Sequence, residues 1–296
     1  MKSIDLNQRS WQWAILLFLA FLWGSSFILM KRSLVVFSPV QVASLRMSIA
    51  GIVLLPFAIK NIKFLKTRFW SLLIVGLIGN GIPAYLFTWS QMHVSSSSAG
   101  ILNSLTPLFT LIVGGLFFRT QIRILQVTGV IIGLAGSVFL FLTKGFVFDW
   151  AILSWGSLIV IATAMYGVNI NHVKKKLADI PGIIIAAQAF FLIMPFTIFI
   201  FFTTDIDISV TKNPAFPMAL FAVVTLGMLG SALAVALMNM LIKYTSAVFA
   251  SSVTYIMPVV ALLWGFGDGE ILTIFTFLSL LLILFGVYIV QFGKSK

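Results

Sequence analysis

Arg46, in "ASLRMSIAGIVLLP", is the one charge set well inside an apolar stretch of this chain. A guanidinium offers five N–H donors in a planar fork that fits a carboxylate or phosphate. A charge in hydrocarbon is costly and marks a functional site unless it snorkels to the interface. Arg46 lies shortly after Pro39, so a structural or orienting role near the surface and direct contact with a substrate carboxylate are both open. The other hydrogen-bonding candidates inside apolar stretches are Trp23, Asn80, Tyr85, Trp89, Asn103, Tyr166, Asn169, Asn239, Thr254 and Tyr255. Amides, phenols, indoles and hydroxyls of this kind recognise a solute; they do not break bonds. There is no cysteine, which excludes disulfides and thiolate chemistry. Neither a nucleophile–base pair nor H-E-x-x-H appears, so no enzyme is expected. His93 and His172 are isolated from carboxylates and make no metal site, and no cofactor is expected.

The stretch "HVSSSSAGILNSLTPLFTLIVGGLFF" (93–118) spends four serines, an Asn, a Thr and a Pro on an otherwise apolar segment. On a helix, Ser96, Gly100, Asn103, Pro107, Thr110 and Gly114 recur at spacings of three and four and form one narrow stripe. Ala247, Ser251, Thr254, Pro258, Ala261 and Gly265 form its counterpart. Small residues let membrane helices approach closely, so the stripes are either packing seams or the wall of a cavity. Pro107 and Pro258 each free a carbonyl one turn earlier, and such a group in hydrocarbon needs a partner or water. They are the candidate bending points for gating. The serines suit a short turn and a helix start, where Ser caps orphan amides.

These residues need elements to hold them, and composition fixes the class. Hydrophobic residues make up 60 % of 296 and charged ones 9 %, against roughly 25 % charged in soluble domains. No soluble core could bury that much apolar surface, so the chain is a polytopic membrane protein. At about 20 residues per crossing, ten spans are expected: 11–31, 39–60, 69–91, 96–118, 124–143, 150–172, 181–203, 215–240, 246–267 and 271–292. The first exceeds a signal-peptide core, lacks an A-x-A-like cleavage site and is read as retained.

The net charge of +12 follows from topology and calls for no nucleic-acid partner. With the N terminus inside, the inner segments hold Lys2, Arg9, Lys60, Lys63, Lys66, Arg68, Arg119, Arg123, Lys174, Lys175, Lys176, Lys243, Lys294 and Lys296. The outer ones hold Lys31, Arg32, Lys144 and Lys212. Basic residues collect in cytoplasmic loops, so both termini are expected in the cytoplasm and the chain in the cell (inner) membrane. The acids, Asp5, Asp149, Asp179, Asp205, Asp207, Asp268 and Glu270, fall in loops or at span ends. Proton-coupled carriers keep a carboxylate or histidine relay inside the membrane, which leaves Glu270 and His172 as the candidate proton sites. Span 1 holds no acid.

The halves resemble each other. An offset of 151 places Pro107 on Pro258, Ser95 on Ser246, Ala99 on Ala250 and Gly114 on Gly265; an offset of 143 places Gly24 on Gly167 and Lys31 on Lys174. Five spans is an odd number, so tandem repeats 1–143 and 144–296 must point in opposite directions. That gives an all-α polytopic membrane protein with ten transmembrane helices in two inverted five-helix repeats, an architecture that transporters use with a solute site near the midplane.

"FLWGSSFILMK", "ASLRMSIAGIVLLP", "SSAGILNSLTPLFTLIVGG", "YTSAVFASSVTYIMPVVALLWGFGDGE" and "LLLILFGVYIV" resemble the EamA domain of the drug/metabolite transporter superfamily, and the likeness covers nearly the whole chain as two units. It implies a ten-helix fold that moves small metabolites, often amino acids or their relatives, usually outward. The family commonly carries an acid about twelve residues after the span-4 and span-9 proline; Glu270 fills that place in the second half, whereas Arg119 stands there in the first. The expected function is export or facilitated passage of small metabolites by alternating access. Alternatives are flipping of a lipid-linked or phosphorylated substrate, since Arg46 and the basic loops could grip phosphates, a proton-coupled antiporter, an intramembrane enzyme, and a purely structural or receptor role. The expected partners are a small-molecule solute and the lipid bilayer; a monomer suffices and a dimer is open.

Overall fold

The computed structural model describes residues 7–94, 96–142, 154–205, 208–267 and 274–292. Every element among them is helical. Six helices are long and apolar enough to cross a membrane: α1 (Arg9–Ser33), α2 (Pro39–Lys60), α3 (Ile62–Ser90), α7 (Gly156–Lys176), α8 (Gly182–Phe202) and α9 (Phe216–Tyr244). Shorter or interrupted apolar helices stand between and after them: α4 (Ser96–Asn103), α5 (Thr106–Phe118), α6 (Ile124–Leu142), α10 (Ala247–Ser251), α11 (Val253–Gly267) and α12 (Ile274–Phe292). Each expected span is helical over most of its length, and six have membrane length by themselves.

Local sequence explains the boundaries. Ser38 opens α2 with a capping box, accepting from the Gln41 amide while the Gln41 side chain accepts from the Ser38 amide, and Pro39 occupies the first helical turn. The expected fourth span is not one helix. It breaks at Ser104 and Leu105, so Pro107 sits in the first turn of α5, where a missing N–H costs nothing. The Thr106 hydroxyl donates to the Asn103 carbonyl (2.8 Å) and that of Ser104 to Gly100 (3.0 Å), which satisfies carbonyls the break releases. The ninth expected span breaks likewise at Ser252, while Pro258 lies inside α11. Two wide π-type turns, Leu77–Gly81 in α3 and Leu226–Leu233 in α9, and a kink at Arg68 in α3 are further irregularities. Such turns often mark functional sites.

Packing joins the halves. α2 lies against α8 and α6 against α12; α5 packs on α7 as α1 does on α11, α3 on α8 as α9 does on α2, and α3 on α7 as α9 does on α1. The pattern is unchanged when first-half and second-half helices are exchanged. Glycines allow the closest approaches in matched places. A Cβ on Gly24 would come within 2.6 Å of Val260, and one on Gly167 within 2.9 Å of the Phe109 backbone. A Cβ on Gly76 would meet Ala189 and Ile193, and one on Gly227 would meet Ile49 and Arg46. The two ends of the described chain share one face, where the Arg9 guanidinium lies over the Phe292 ring at 4.5 Å and the Trp13 indole donates to Gln291 (2.7 Å). Next to that face the core is continuous, built from Leu16, Leu19, Leu72, Val75, Leu177, Leu241, Ile242 and Phe249 among others.

Candidate functional site

Above that core the helices part around a cavity with about 930 Å³ free of protein atoms, its mouth included. Helices α1, α2, α3, α7 and α9 supply its wall together with the broken pairs α4–α5 and α10–α11. The breaks and wide turns border it, because a side chain can only be aimed inward where the helical ladder yields.

Arg46 is its one formal charge among the described residues; no acid lines it. The guanidinium does not snorkel. Its Nε donates to the Ser231 hydroxyl at 2.6 Å, and Ser231 donates to the Leu226 carbonyl inside the α9 wide turn (3.3 Å). The two Nη groups have no hydrogen-bond partner among the described residues. The α3 wide turn mirrors this, with the Asn80 amide donating to the Val75 carbonyl, also five residues back (2.9 Å). Trp23 donates from its indole to the Gly230 carbonyl (2.9 Å), and Tyr166 stacks on Phe87 with ring centroids 6.1 Å apart. Asn103 reaches the Met257 sulfur (3.5 Å), and the Thr254 hydroxyl donates to the Ser251 carbonyl (3.0 Å). Two buried polar atoms of the wall lack a hydrogen-bond partner among the described residues: the Asn169 Oδ1 acceptor and the Asn239 Nδ2 donor. Phe27, Phe87, Met30, Met47, Met238 and Met257 are among the apolar residues of the remaining wall.

Of the sequence-predicted residues, Trp23, Arg46, Asn80, Asn103, Tyr166, Asn169, Asn239 and Thr254 meet at this cavity. Tyr85, Trp89 and Tyr255 do not. Tyr255 is fully buried and turns the other way, donating to the Val130 carbonyl of α6 (2.9 Å) and packing on Gly133. One helical position separates it from Thr254, and that 100° turn decides the face. Tyr85 shares a hydrogen bond with Ser44 (2.8 Å), and Trp89 is 43 % exposed on the outside of the bundle. His172 lies off the cavity with Nε2 unpartnered; Glu270 lies outside the described residues. Pro107 and Pro258 do accompany breaks, but the backbone parts at Ser104–Leu105 and Ser252. Ser26, Thr106, Ser231 and the methionines were missed. The repeat offsets could have found two of them, since 143 carries Ser26 to Asn169 and 151 carries Asn80 to Ser231.

A family model of EamA-like transporters matches residues 11–142 and 153–292. The chain is 29 % identical over 286 residues to the uncharacterized inner membrane transporter YedA of Escherichia coli strain K12, covering 92 % of this chain and 88 % of that one. It is 23 % identical over 180 residues to a probable terminal-alkyne amino-acid exporter of Streptantibioticus cattleyicolor, covering 60 % and 59 %. A solved crystal structure aligns over 96 % of this chain and 98 % of its own with a TM-score of 0.75 at 18 % identity, a likeness of fold.

Proposed function

The chain belongs to the EamA-like transporter family, and from that premise we propose that it carries small carboxylate-bearing metabolites, amino acids among them, by alternating access. The observation that carries this reading is the Arg46 guanidinium, held at Nε by Ser231 and with no hydrogen bond at either Nη group among the described residues, in a cavity whose described lining holds no acid. An uncompensated charge in a partly dehydrated site favours an anion as its partner. A carboxylate meets the two Nη groups side by side. The Asn239 amide would add a donor to it, and the Asn169 carbonyl would accept from an ammonium. An apolar side chain would lie against Phe27, Phe87 and the methionines. The same wall argues against phosphate-bearing and lipid-linked cargo, because one guanidinium leaves a dianion half neutralised.

Ten crossings, repeats 1–143 and 144–296 in opposite orientation, and both termini in the cytoplasm belong to this proposal. The exchange symmetry of the packing and the matched glycines support the repeats. Repeats of that kind alternate by swapping the conformations of the two halves, so a monomer suffices. No titratable acid lines the cavity among the described residues, which supports passage down the solute's own gradient. The test is reconstitution in liposomes loaded with amino acids, nucleosides and polyprenyl phosphate. Release of amino acids with or without a proton gradient is expected. Release of the lipid phosphate alone, or release that requires the gradient, would overturn the reading.

A further inference from the structure

A second cavity, about 540 Å³ with its mouth, adjoins the first on the face that carries both ends of the described chain. It is one turn further along α5, where Thr106 lines the first cavity and Thr110 the second. It is one residue further along α7 (Ile170, then Asn171) and one turn earlier in α10 (Ser251, then Val248). Gln121 and Lys175 edge it, and no acid among the described residues does. Lys174 is spent, its ammonium donating to the Ile242 and Lys243 carbonyls at the end of α9 (both 3.0 Å). The Lys175 ammonium, exposed on the same rim, makes no such bond among the described residues.

What separates the chambers is thin. Leu111, Val248 and Ile170 are buried there. Across them the Asn171 amide donates to the Thr110 carbonyl of α5 (2.8 Å) and to Gly167 in its own helix (2.9 Å). The first of those bonds ties a first-half helix to a second-half helix, so it must break if α5 and α7 part. The repeat offset carries position 171 to Ile28, which has no donor. Among the described residues, the tie therefore has no side-chain counterpart at that position on the other face.

We propose that the second cavity is a vestibule that gathers the carboxylate-bearing solute from this face, and that Asn171 is the latch between it and the first cavity. The proposal rests on the transport reading above. Single thiols in this cysteine-free chain test it in oriented liposomes, with membrane-impermeant thiosulfonate reagents added at the face of the chain ends. Gln121→Cys labels there at least about threefold faster with a negatively charged reagent than with a positively charged one of equal size, and Lys175→Gln abolishes that preference. Thr254→Cys in the first cavity is protected from that face. Asn171→Ala exposes it about tenfold, the worth of one buried hydrogen bond. Gly114→Ala does the same from the other side, since its Cβ would lie 2.8 Å from the Asn171 Oδ1. Ser137→Cys, fully buried in α6, stays unlabelled in both variants, which separates opening from unfolding. The latch is overturned if Thr254→Cys stays protected in both variants, labels freely without them, or is exposed only together with Ser137→Cys. The vestibule is overturned if the charge preference is absent or survives Lys175→Gln. Labelling needs no solute, so failure to transport would count against the function and leave these readouts intact.

Discussion

Replacing Arg46 by Gln removes the cavity's charge while keeping a polar group of similar reach. A hydrogen bond to a charged partner contributes about 1.5–3 kcal/mol. Breaking a desolvated charge pair by truncating one side costs about 2–5 kcal/mol. The cavity is partly open, so the lower half of that range applies, about 3 kcal/mol. At 1.4 kcal/mol per decade this is a loss of roughly 100-fold in affinity for a carboxylate-bearing solute. Arg46→Lys keeps the charge but loses the fork and the Nε bond to Ser231, and it should fall between, about tenfold down. Trp23 lines the same cavity, so its fluorescence in detergent-solubilised protein reports binding directly, and liposome efflux reports transport. The control is the same amino acid as its primary amide, which lacks the carboxylate and should bind Arg46→Gln and the parent within about threefold of each other. Equal affinity of Arg46→Gln and the parent for the free acid would refute the pairing. So would an equal loss for acid and amide, which would make Arg46 a scaffold.

Ser231→Ala should lower carboxylate affinity by about fivefold, the worth of one hydrogen bond, in the same fluorescence titration, because the guanidinium loses the contact that orients it. Tyr255→Phe removes its hydrogen bond to the Val130 carbonyl, which keeps its own helical N–H donor, and should cost about 0.5–1.5 kcal/mol of stability, read as a lower melting temperature in detergent with affinity unchanged. Gly24→Leu and Gly167→Leu should each destabilise by about 1–3 kcal/mol through overpacking, since even a Cβ would meet a neighbour within 3 Å; thermal-shift measurement checks both. Trp89→Ala should leave efflux within about twofold, as expected of a side chain on the outside of the bundle.

Composition alone determined that the chain lives in a membrane, because no water-filled surround could hide 60 % apolar residues. The offsets that set Pro107 on Pro258 and Gly24 on Gly167 suggested the internal repeat proposed above, and Gly24 and Gly167 each stand at a close approach. Polar side chains in apolar surroundings stand out by their cost, which is why Arg46, Asn80, Asn103, Asn169 and Asn239 could be named before any coordinates. The sequence could not say which way each one faces. Thr254 and Tyr255 are neighbours, yet one lines the cavity and the other plugs the α6 seam. Nor could it show that Ser231 would hold Arg46 across 185 residues of chain, or that span four would part at Ser104–Leu105 ahead of its proline. Those outcomes depend on helical phase at breaks and wide turns, where the ladder no longer fixes 100° per residue and packing against the other half does.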